Sequence, residues 1–172
     1  MIRSTICLLL IASATVAGAG ETGKTVSSSI VDTTGKSVGT ATFAEKKGGV
    51  EVTIKASGLP PGKHGMHIHE NGKCEPPGFA TSGAHFNPTG RHHGAGHPEG
   101  KHAGDLPNLE VKKDGTAKLT ATAEGATLGK GKTSLLKNGG TALIIHAKPD
   151  DEKTDPTGNS GDRIACGVVG AR

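Results

Sequence analysis

The stretch His67-Ile68-His69 sets two imidazoles two residues apart. On a strand, that spacing turns both rings to one face while Met66 and Ile68 turn to the other. Two neighbouring imidazoles on a rigid backbone form a ready chelate, and a third from another strand approaches the nitrogen set that suits Cu(II). His146 is a candidate for that third ring, because it shares a face with Ile144 while Leu143 and Ile145 point toward the core. Further on, His85, His93 and His102 follow one another at spacings of eight and nine, and Asp105 comes three residues later. Three imidazoles and one carboxylate make a closed four-coordinate site of the kind Zn²⁺ accepts. The plainer alternative is a solvated, histidine-rich loop that buffers metals without fixed geometry. Of the other histidines, His64 is expected to make a structural hydrogen bond near a strand start, and His97 to lie in a loop without a metal role.

The elements that must position these groups are short strands. With 28 glycines, 9 prolines and no Trp or Tyr in 172 residues, there is little material for long amphipathic helices, and the glycines lack the period of collagen. Val50, Val52, Ile54 and Ala56 alternate with polar residues, as do Ala117, Leu119, Ala121 and Ala123, which is the period-2 signature of a half-buried strand. Further strands are expected at about 24–32, 37–45, 64–70, 105–112, 141–147 and 164–169, separated by turn signals such as Gly48-Gly49 and Asp114-Gly115. Eight strands of this kind predict an antiparallel all-β sandwich or closed barrel. Two stretches, 71–104 and 148–163, are too long and turn-rich for hairpins, and loops of that length in a compact domain usually carry function.

Residues 1–19 read as an export leader: Arg3 is basic, Ile6 to Val16 is largely apolar, and Ala17-Gly18-Ala19 offers a small-residue cleavage site. That apolar run is shorter than the roughly 20 residues needed to span a bilayer, so no membrane insertion is expected of a mature chain running over 20–172. Without Cys7, the cysteines are Cys74 and Cys166. An even pair in an exported chain reads as a disulfide. The formal net charge of +4 is scattered, and aromatics for base stacking are nearly absent, so nucleic acid is a poor partner.

Four separated motifs then occur in one order: Gly65-Met-His-Ile-His-Glu70, Gly83-Ala-His-Phe-Asn-Pro88, His102-Ala-Gly-Asp-Leu106 and Gly158-Asn-Ser-Gly-Asp-Arg-Ile-Ala-Cys-Gly167. In these the chain closely resembles the copper/zinc superoxide dismutases, and the leader with the turn at Asn71-Gly72-Lys73 is similar to their bacterial, periplasmic-type members. The resemblance implies an eight-stranded antiparallel Greek-key sandwich or barrel with two long functional loops. It implies copper on His67, His69, His85 and His146, and zinc on His85, His93, His102 and Asp105, one ion of each per chain, with His85 as a shared imidazolate. It implies Arg163 as the arginine facing copper, Asp150 as a carboxylate linking His67 to His93, and a Cys74–Cys166 bond tying the loop to the last strand. His93 rather than His92 matches the zinc position, leaving His92 on the surface. The departures from the pattern lie in the polar loop, at Pro156 and Asp162. The activity implied is dismutation of the superoxide anion to O₂ and H₂O₂ in an exported compartment. The competing reading is a non-catalytic copper- or zinc-handling protein on the same fold. A homodimer is compatible with the sequence but not readable from it.

Overall fold

The structure, a computed structural model, describes residues 23–170; the leader expected at 1–19 lies outside the described residues. Eight strands follow in chain order: β1 (Thr25–Asp32), β2 (Ser37–Lys46), β3 (Gly49–Ala56), β4 (Gly62–His69), β5 (Asp105–Val111), β6 (Ala117–Glu124), β7 (Thr141–His146) and β8 (Arg163–Val169). Each lies within two residues of its expected span. A single 3₁₀ turn at Ala80–Ser82 is the only helical element among the described residues, and no helix there is long and apolar enough to cross a membrane.

The strands form one antiparallel sheet in the order β5-β4-β7-β8-β1-β2-β3-β6, and its two ends, β5 and β6, lie against each other to leave a nearly closed barrel. Residues 57–61 and 125–140 carry the chain past two strands each, which makes the topology a double Greek key. Closure leaves few unpaired edge groups. Inside the barrel, Ile30, Phe43, Ile54, Met66, Ile68, Leu109, Leu143 and Ile145 are fully buried in one cluster.

The adjacent pairing of β4 with β7 matters most for function. Met66 faces Ile145, His67 faces Ile144 and His69 faces Ala142, so the alternation that sends Met66, Ile68, Leu143 and Ile145 inward sends both histidines outward. An outward face would ordinarily be wet. Here the long loop between β4 and β5 folds over it, and Phe79 from that loop packs on Ala142, Ile144 and Cys166 as a second buried cluster. A bulge between β7 and β8 leaves Ile164 as the extra residue and places Arg163 opposite His146; bulges of this kind re-aim side chains beside sites.

Candidate metal centre

Strand β4 supplies His67 and His69, β7 supplies His146, and His85 comes from the loop through an isolated bridge to His69. The four form one group with ligand atoms within 4.8 Å of one another, and none of the four residues is more than 6% exposed. One nitrogen of each ring is held. His67 Nε2 lies 2.6 Å from Asp150 Oδ2, His69 Nδ1 donates to the Gly83 carbonyl at 2.9 Å, His146 Nδ1 donates to the Gly161 carbonyl at 3.0 Å, and His85 Nδ1 lies 3.0 Å from Asp105 Oδ1. A carbonyl or carboxylate can only accept, so these contacts fix the tautomers.

The other nitrogen of each ring, His67 Nδ1, His69 Nε2, His85 Nε2 and His146 Nε2, is buried without a hydrogen-bond partner. An orphaned buried polar atom costs about 1–3 kcal/mol, and four converging orphans are what a bound cation relieves. Protons do not suffice. Burial pushes the pKa of His69 down to about 2, that of His146 to about 3 and that of His85 to about 4. These three rings stay neutral with free lone pairs, which is the donor set copper accepts.

The second group has a different electrostatic character. His85, His93, His102 and Asp105 also bring ligand atoms within 4.8 Å. His102 Nδ1 lies 3.2 Å from Asp105 Oδ1 and 3.4 Å from His85 Nδ1, and His93 Nδ1 lies 3.1 Å from Asp105 Oδ2. Burial opposes a cation at His93, but the carboxylates of Asp105 and Asp150 outweigh it and push its pKa up to about 10. The pKa of Asp105 is held well below the carboxylate range by His102, His85 and His93, against its burial. This group therefore attracts positive charge, as a Zn²⁺ pocket with an anionic ligand should. His85 belongs to both groups, its Nδ1 in the second and its orphaned Nε2 in the first.

Asp150 lies between them, with Oδ2 on His67 and Oδ1 3.0 Å from His93 Nε2. Its backbone is held on both sides by one side chain, as Asn108 Oδ1 accepts from Asp150 N at 2.8 Å and Asn108 Nδ2 donates to Asp150 O at 3.0 Å. Gly158 has to be glycine here: its φ is +62°, and a Cβ would fall 1.9 Å from Asp150 Oδ1. Arg163 donates to the carbonyls of Phe79 and Gly83, both at 2.8 Å, and to Ser82 Oγ at 3.0 Å. It opens with His69, His85, His146 and Asn159 onto a cavity of about 460 Å³. The disulfide Cys74–Cys166 is present and links the loop that holds Arg163 to β8, which carries it.

Every residue expected to hold, link or face the metals is thus in one of these two groups, between them or beside them. His64 is buried and spans the His146 and Pro60 carbonyls at 2.7 and 2.8 Å, and His92 is exposed, as expected. Sequence reasoning missed Asn108 and Ser82. Asn108 carried a signal, since it is a polar residue three beyond Asp105, flanked by Pro107 and Leu109. Ser82 carried none.

A barrel wall that holds one buried set of four imidazoles, and shares one of those rings with a second pocket of imidazoles and a carboxylate, defines a dinuclear metalloprotein with one solvent-open site. The family description "Copper/zinc superoxide dismutase (SODC)" matches residues 37–169, and the chain belongs to that family. It is 48% identical over 142 residues to superoxide dismutase [Cu-Zn] 2 of Aquifex aeolicus, covering 81% of this chain and 83% of that one. It is 40% identical over 158 residues to superoxide dismutase [Cu-Zn] of Deinococcus radiodurans, covering 86% and 85%. Its fold superimposes on a double mutant of a SOD-like protein from Bacillus subtilis with a TM-score of 0.81 at 44% identity, over 84% of this chain and 97% of that one. The protein is an oxidoreductase of the superoxide dismutase type, and its two histidine groups fit the copper and zinc of the family.

Proposed function

We propose that the protein disposes of superoxide in an exported, oxidising compartment, with His67, His69, His85 and His146 holding copper, His85, His93, His102 and Asp105 holding zinc, and the His85 ring bridging the two as an imidazolate. The observation that carries this reading is the double membership of His85 in two buried ligand sets. Copper, when bound, supplies one-electron redox chemistry in both directions, while zinc supplies fixed charge without redox chemistry. Two superoxide anions and two protons then yield one O₂ and one H₂O₂.

The residues of the chain do the rest. Arg163 meets the incoming anion; three hydrogen bonds hold its guanidinium at the cavity wall, so little ordering is required on binding. His85 lines the same cavity, and its Nε2 would hold a proton in one half of the cycle and give it up in the other. Asp105 and the rest of the second group keep Nδ1 of that ring fixed, so the ring cannot rotate as Nε2 changes state. Asp150 holds His67 and His93 in fixed tautomers. Export is supported by the Cys74–Cys166 bond, since such bonds persist in oxidising compartments.

The test is superoxide decay and metal content measured on the same purified sample. Fast decay with one copper and one zinc per chain is the expected result, and bound metal without turnover would favour a metal-handling protein. With copper in both sites, the shared ring should couple the two spins and diminish the EPR signal. Two independent copper signals would rule out the bridge.

A further inference from the structure

Seven of the nine histidines are buried and belong to the centre or, for His64, to its support. The remaining two, His92 and His97, are not buried, and they are not scattered. A turn brings their rings to 4.2 Å between centroids with a tilt of 33°. Glu99 joins them, and the ligand atoms of His92, His97 and Glu99 lie within 4.8 Å of one another. The turn is held by its own backbone, with Gly100 N donating to His97 O at 3.0 Å and the Arg91 guanidinium donating to the Glu99 carbonyl.

We propose that His92, His97 and Glu99 form a third metal site, an exposed and exchangeable one for a divalent ion of the zinc or copper(II) class. Asp155 is the orienting group. Its Oδ2 accepts from His92 Nδ1 at 3.1 Å while its Oδ1 accepts from the His93 backbone at 2.9 Å. A carboxylate on Nδ1 fixes the tautomer with a lone pair on Nε2, the arrangement that supports metal-bound histidines. That lone pair faces Glu99 Oε2 at 3.7 Å. Two acceptors aimed at one another repel unless a cation stands between them, and two ligands of a tetrahedral zinc ion sit roughly 3.4 Å apart. His97 Nδ1 takes only a 3.3 Å contact from the Glu99 N–H, which an ion would displace. With three protein ligands, a fourth position stays open to water, so the site exchanges its ion rather than burying it. The site shares no ligand with the buried centre, though Asp155 and the His92–His93 peptide connect them.

Equilibrium dialysis of the metal-loaded protein against free zinc at pH 7.5 tests this. The wild-type chain should bind one zinc equivalent more than a His92→Gln/His97→Gln double variant, while both keep the same tightly held metals and the same rate of superoxide decay. Glu99→Gln alone should weaken the extra equivalent at least tenfold. Equal zinc uptake by wild type and double variant overturns the proposal, either because the ion sits elsewhere or because His92 instead bridges Glu99 and Asp155 as a charged imidazolium. Unchanged affinity in Glu99→Gln overturns the assigned ligand set.

Discussion

Arg163 is the one permanently charged side chain lining the cavity beside His69, His85 and His146. A diatomic anion offers almost no surface to bind, so capture rests on the field at the mouth, and focused fields raise association rates by about 10–10³. Arg163→Glu should therefore lower superoxide decay at least tenfold at unchanged copper content, and the wild-type rate should fall as salt is added, because screening shortens the reach of that charge. A salt-independent rate would remove long-range capture from the mechanism. Asp150 makes a different kind of contribution, since it does not line the cavity yet fixes one ring in each ligand set. Asp150→Ala should weaken metal binding about 10–100-fold, the usual cost of losing such a partner, read by competition with a chelator. An unchanged affinity would show that packing alone orients His67 and His93.

The histidines of β4 and β7 are placed by sheet register, whereas Arg163 depends on a loop and a strand joined by a disulfide, hydrogen bonds and the packing of Phe79 on Cys166. Its guanidinium is held by the carbonyls of Phe79 and Gly83, in the loop that begins with Cys74, and Cys74 is joined to Cys166 three residues further along β8. Removing the bond with Cys166→Ser should cost about 4–5 kcal/mol through the entropy of a 92-residue separation. It should also lower kcat/KM by freeing the loop, with copper and zinc content preserved; loss of stability without any change in kcat/KM would separate the bond from Arg163. The strands themselves were legible in the sequence because burial of one face imposes period 2, as along Val50–Ala56. The pairing of β4 with β7 was not legible, because nothing local in either strand specifies its neighbour. Nor could the hold of Asn108 on Asp150 be seen, since it spans 42 residues and depends on where a loop crosses β5.

For the molecule as a whole, the buried rings link stability to pH. His69, His146 and His85 titrate at about 2, 3 and 4 when folded, against about 6.5 in an unfolded chain. Between about pH 6.5 and 4 the unfolded state binds more protons, so the metal-free protein loses stability as pH falls through that window. His93 has the opposite sign. With its folded pKa at about 10, its contribution is complete below about 6.5 and is lost as pH rises through 10. The urea midpoint of chelator-treated protein should therefore be highest near neutrality and decline toward both pH 5 and pH 10.5. A flat midpoint from pH 7.5 to 5 would contradict the burial of the three neutral rings. Adding copper and zinc should raise the melting temperature with concentration, because the ions bind only the folded state.

Taken alone, the sequence determined the all-β class, the strand positions and the ligand residue types, because period-2 burial and metal-ligand chemistry are both written in residue type and spacing. The shared place of His85, the reach of Asp150 and the tie of the disulfide loop to the last strand were carried in the sequence only by resemblance to a family. It is the tertiary structure that brings His85 into both ligand sets, Asp150 onto both His67 and His93, and the disulfide loop onto Arg163. It also decided that His92 and His97, one expected on the surface and the other in a loop without a metal role, meet ring to ring. Each of these depends on distances between segments that closure of the barrel brings together, and no local pattern encodes such distances.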